Sequence, residues 1–87
     1  MPKLFTAIWL GVSLVFGSVT FASDLSDGLA DYKRGDYTSA FRAFTVAAGQ
    51  GNPEAQYNLA LMYQLGQSVN QDDKMALLWY SKAAEQG

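Results

Sequence analysis

The chain opens on an uninterrupted apolar stretch and then settles into a helical rhythm of apolar and polar positions. No charge appears from residue 4 to 23, and residues 4–16 are dominated by Leu, Ile, Val, Phe and Trp. Beyond that stretch apolar residues recur every three or four positions, the spacing that gathers them on one face of an α-helix. Four helices are predicted. The first covers residues 25–34, with Ser23 or Asp24 as its N-cap and Gly35 at the left-handed position that ends it. Asp36 caps the second, over 37–48. Asn52 caps the third, Pro53 takes the first position, where a missing N–H costs nothing, and Gly66 ends it. Asp72 caps the fourth, over 73–86, and Gly87 stops it. Segments 49–51 and 66–71 are too short for independent linkers and predict tight turns between antiparallel neighbours.

The spacing also assigns faces. On the third helix Ala55, Leu59 and Met62 form one stripe with Tyr63 beside it, and on the fourth Ala76, Tyr80, Ala83 and Ala84 form another. Small residues on both stripes let helix axes approach closely, while Tyr80 and its counterpart Phe44 supply bulk. Ala76 and Ala83 are expected where two helices touch, and Ala48 outside such a contact. Of the adjacent rings Trp79 and Tyr80, one is expected in the core and the other against a following repeat. A second row on the third helix, Glu54, Tyr57, Leu61 and Gln64, faces away from the core stripe. Its matches on the first helix are Ser26, Ala30 and Lys33.

Much of this pattern is written twice. Ala47-Ala48-Gly49-Gln50-Gly51 returns as Ala83-Ala84-Glu85-Gln86-Gly87 at an offset of 36 residues, and Ala40 and Phe44 match Ala76 and Tyr80 at the same offset. Tyr32-x-x-Gly35 matches Tyr63-x-x-Gly66 at an offset of 31, so the second copy carries five extra residues, 67–71, in mid-unit. A repeat of this length with a loop inside it predicts an all-α fold, a short solenoid of two antiparallel helix pairs. The first unit covers about 24–51 and the second about 52–87. In a stack of pairs the first helix of each pair lines the concave surface, so Tyr57, Leu61, Gln64 and Lys33 are the candidate partner-binding residues. About three repeats are normally needed for independent stability. Met75, Leu78 and Trp79 are large and apolar, so the flank of the last helix is expected to self-associate, to dock on a partner, or to continue into a longer array.

Residues 56–87 resemble a Sel1-like repeat throughout. The resemblance rests on Ala55-Gln56-Tyr57, Leu59 with Ala60, Tyr63-x-x-Gly66, Val69-x-x-Asp72, Ala76, Trp79-Tyr80 and Lys82-Ala83-Ala84-x-x-Gly87. Ser68 stands where the family often has Gly. Residues 24–51 look like a shortened first unit, and Gly35-Asp36-Tyr37-x-x-Ala40 is closer to the related tetratricopeptide turn. The resemblance gives Tyr32, Gly35, Ala40, Phe44, Tyr63, Gly66, Asp72, Ala76, Trp79, Tyr80, Ala83 and Gly87 structural roles in the repeat. It implies an adaptor or scaffold with a protein or peptide partner, no catalytic residue and no cofactor. Some exported Sel1-like proteins are linked to β-lactam binding or hydrolysis, which gives an alternative enzyme function. Those proteins carry a disulfide in each repeat, and this chain has no Cys.

Charge and composition narrow the rest. Lys3 before the apolar stretch, Gly17-Ser18 after its strongest part, and small residues at Thr20 and Ala22 form an export signal with cleavage expected after Ala22. The alternative is a retained anchor, because an uncharged run of about 20 residues can span a bilayer. Export without cysteine points to a bacterial periplasm over a eukaryotic secreted module. Cleavage removes Lys3 and leaves residues 23–87 one unit more negative than the whole chain's −2. No basic cluster exceeds Lys33-Arg34, which excludes nucleic acid and anionic membrane surfaces as expected partners. With no His and no Cys the usual nucleophile–base pairs and zinc sites are absent, and Ser81 and Thr45 sit in helices without a base nearby. Asp72-Asp73 begins a helix, where acids cap and complement the dipole. Asp24, Asp27 and Asp31 lack the loop spacing of a calcium site.

Overall fold

The computed structural model describes residues 24–86. The export segment with its cleavage position after Ala22, and the helix stop at Gly87, lie outside the described residues. Among the described residues the regular structure is helical: α1 (residues 24–33), α2 (Tyr37–Gly49), α3 (Pro53–Leu65) and α4 (Asp73–Gln86). None of these helices is long and apolar enough to cross a membrane.

The helices α2, α3 and α4 each start where a short polar side chain meets an orphan backbone N–H. Asp36 accepts from the Ser39 N–H at 3.3 Å, Asn52 from Ala55 at 2.9 Å, and Asp72 from Met75 at 3.1 Å. A cap of this kind contributes about 1 kcal/mol. Gly66 ends α3 at φ +69°, with its N–H donating to the Met62 carbonyl. A side chain there would be strained by φ and would also press on Gln71, 3.4 Å from the position of a Cβ.

The short turns reverse the chain at every step. Gly28 of α1 lies against Phe44 of α2, Phe41 of α2 against Tyr63 of α3, and Gln56 of α3 against Gln86 of α4, all in antiparallel register. Gly28 permits the closest of these approaches, because a Cβ there would sit 2.7 Å from the Phe44 ring. The core consists of Ala40, Phe44, Ala47 and Ala48 from α2 with Ala55, Leu59 and Met62 from α3. Leu25 and Tyr32 of α1 and Trp79 of α4 close over it. The predicted stripe of α3 is therefore the buried one, and Tyr63 stands beside it, half-buried.

Two expectations are corrected. Ala48 belongs to the core, at 2% exposure, although its place outside a helix contact was expected. Ala84, its equivalent on α4, is exposed, and Ala83 is only half-buried. The reason is the number of neighbours: α2 is packed between α1 and α3, whereas α4 is packed chiefly against α3. Of the adjacent rings, Trp79 packs on the core, and Tyr80 turns to Tyr57 of its own unit, with ring centroids 5.4 Å apart and edges to faces. Tyr57 occupies the place that Ser26 holds in the first unit, so only the second unit offers Tyr80 an aromatic neighbour on its own first helix.

Candidate partner-binding face

The row opposite the α3 core stripe is accessible. Tyr57 is 53% exposed, Glu54 and Gln64 are exposed, and Leu61 between them is half-buried. Seven positions separate Tyr57 from Gln64, two helical turns, so both point the same way. Tyr80 of α4 ties them together. Its ring packs edge-on against Tyr57, and its hydroxyl donates to Gln64 Oε1 at 2.7 Å. Gln71 Nε2 adds a bond to the Gln64 carbonyl at 2.9 Å, which fixes the end of the row to the following turn. Burial, and second the nearby Tyr57 phenol, push the Tyr80 phenol above its ordinary value, so it stays a neutral donor at physiological pH.

Lys33 is placed apart. It is exposed in the last turn of α1, and no hydrogen bond or ion pair joins it to Tyr57, Leu61 or Gln64. Its neighbours Arg34 and Asp31 pair with each other across three positions. The structure thus brings together three of the four candidates and leaves the fourth on α1, at the position equivalent to Gln64. Among the described residues no cluster of His, Cys, Asp or Glu is arranged to hold a metal ion.

Two features escaped the sequence pattern. Gln56, buried to 5% exposure, donates to the Ala48 carbonyl at 3.1 Å and accepts from Gln86 Nε2 at 2.9 Å. One amide therefore joins α2, α3 and α4, and its signal in the sequence was a polar residue at the edge of an apolar stripe. The second feature is an open groove of about 450 Å³ between α2 and the 66–72 turn, floored by Phe41, Val46 and Val69 and edged by Thr38 and Arg42. The five extra residues of the second unit build one wall of it. The turn also reaches back onto the first unit: Tyr32 donates to Gln67 Oε1 at 2.9 Å, and Ser68 donates to Thr38 at 3.2 Å.

With this geometry in view, the comparisons agree. Residues 53–87 match the Sel1 repeat family. The chain is similar to an exopolysaccharide production negative regulator of Rhizobium leguminosarum bv. viciae, 40% identical over 69% of this chain and 22% of that protein. It is similar to the DAP3-binding cell death enhancer 1 of Rattus norvegicus, 43% identical over 59% of this chain and 10% of that protein. It is also similar to chitin synthase regulatory factor 3 of Schizosaccharomyces pombe, 35% identical over 69% of this chain and 6% of that protein. The matched region thus spans between 6% and 22% of the length of these curated relatives. Such a shared stretch is a module and not a whole-protein likeness. Residues 53–87 are thus a Sel1 repeat, with the helix pair α3–α4 as its body.

Proposed function

We propose that this chain is an exported protein-interaction module that holds a protein or peptide partner on the α3 face of Tyr57, Leu61 and Gln64. The observation that carries the reading is the clamp between Tyr57, Tyr80 and Gln64. It presents an exposed aromatic ring beside an amide, both already ordered before anything binds. Aromatic anchors of this kind supply contact area at low entropic cost, and pre-ordering lowers the cost of association further. Lys33 is exposed at the equivalent position on α1, outside this cluster.

The relatives support a role in control and assembly: two are named as regulators and one as a binding protein. The role is that of an adaptor and not of a catalyst. The pattern from Lys3 to Ala22 supports export and a partner in the cell envelope. The test is capture from the envelope fraction by the mature chain, side by side with its Tyr57→Ala/Gln64→Ala variant. A band retained by the first and lost by the second, at matched helicity by circular dichroism, is the expected result. Equal capture by both would remove the α3 face from the function.

A further inference from the structure

The groove between α2 and the 66–72 turn differs in charge from the chain around it. The chain carries more acids than bases, yet Arg42 is the charged side chain that lines this groove, and no carboxylate does. Arg34 is paired with Asp31, whereas exposed Arg42 has no ion pair or hydrogen-bond partner among the described residues. One turn further along α2, Val46 is 42% exposed, and half-buried Phe41 and Val69 complete an apolar floor. A free cation and an apolar surface thus lie side by side, about 6 Å apart along the helix axis for a step of four residues. The hydroxyls at the rim keep unused bonding capacity. Ser68 donates to Thr38, which leaves the Thr38 proton for an acceptor. Thr45 donates to the Phe41 carbonyl at 2.7 Å, which leaves its lone pairs for a donor.

We infer that this groove docks an extended segment of a partner protein in which an acidic and an apolar residue stand two positions apart. In an extended chain such residues point to the same side and are separated by about 6.6 Å, close to the step from Arg42 to Val46. The carboxylate pairs with the Arg42 guanidinium, and the apolar side chain covers Val46 and Val69. Thr38 and Thr45 offer one donor and one acceptor, which suit a carbonyl and an N–H of the peptide backbone. A segment of a larger chain fits the open groove better than a small molecule does, because small-molecule sites enclose most of their ligand's surface. This chain does not supply the segment itself. Residues 1–23 contain no Asp or Glu to meet Arg42, and the described residues outside the helices form short turns. The groove shares no residue with the α3 face proposed above, and neither reading depends on the other.

The experiment selects a phage-displayed library of random peptides on the full chain and, in parallel, on its Arg42→Glu and Tyr57→Ala/Gln64→Ala variants. The native chain and the α3-face variant should both enrich peptides with Asp or Glu two positions from Leu, Ile, Val or Phe, and Arg42→Glu should lose that enrichment. One enriched peptide, synthesised with both ends blocked, should then bind about ten-fold more weakly to Arg42→Glu and to Val46→Gln by fluorescence anisotropy. Both positions are exposed, so the two variants should melt with the native chain. The affinity should also fall as salt is raised, since the pair with Arg42 is exposed to solvent. Selection without that spacing, equal binding by Arg42→Glu, or a loss confined to Tyr57→Ala/Gln64→Ala would overturn the inference. So would a chain that dimerises in sedimentation velocity and becomes monomeric on Val46→Gln, because a second copy would then hold the groove.

Discussion

Ser68 holds φ at +68°, in the left-handed region that costs a residue with a Cβ about 1–3 kcal/mol. Its hydroxyl offsets part of that by donating to Thr38. Glycine, frequent at this place in the family resemblance, takes the same backbone without strain. We expect Ser68→Gly to melt no lower than the native chain and Ser68→Val to lose about 1 kcal/mol or more, since a β-branched side chain fits φ > 0 worst. The opposite order in thermal denaturation would contradict the turn geometry. The sequence marks Ser68 only as a departure, and the physical reason for glycine emerges from the dihedral. Tyr80 carries a second residue-scale consequence. Its phenol is held above the ordinary 10.0, first by burial and then by Tyr57, so the neutral form is favoured in the fold. The stability tied to it is complete below about pH 10 and is lost as pH rises from there through the folded value. Denaturant midpoints measured across that range should therefore fall less steeply in Tyr80→Phe than in the native chain. Parallel slopes would show that Tyr80 ionises as freely folded as unfolded.

The helices themselves were largely legible. Asp36, Asn52 and Asp72 cap where their types and spacing indicated, and the Ala55–Leu59–Met62 stripe is the buried one. What periodicity could not carry is how many neighbours each helix has. Ala48 and Ala84 stand at equivalent positions with nearly identical local sequence, yet one is core and the other exposed, because α3 covers α2. The same limit concealed Gln56, whose value lies in partners 8 and 30 positions away. The corrected packing reorders the expected cost of overfilling. Ala48→Leu and Ala76→Leu should each destabilise by about 1–3 kcal/mol, and half-buried Ala83→Leu by clearly less. Chemical denaturation of the three variants checks this, and an Ala83→Leu loss equal to that of Ala48→Leu would mean that α4 is covered as fully as α2.

At the scale of the whole molecule α3 is the pivot. One side of it builds the core with α2, a second side packs on α4, and the remaining arc holds Tyr57, Leu61 and Gln64 toward solvent. The repeat made this division readable in outline, since a helix inside a stack has two covered sides and one free one. It did not reveal that Tyr80 would reach across to order the free side, because that contact depends on a tyrosine at 57 where the first unit has Ser26. Only Lys33, set on α1 with no contact to that patch, stands outside the cluster that the sequence grouped with it. The central claim is that the chain works by presenting this α3 face to a protein. Its most direct test is a photo-cross-linking residue placed in turn at positions 57, 61, 82 and 85 in the cells that make the chain. The account predicts one protein adduct shared by positions 57 and 61 and none from 82 and 85, which are exposed on α4. Adducts from 82 and 85, with none from 57 and 61, would contradict it.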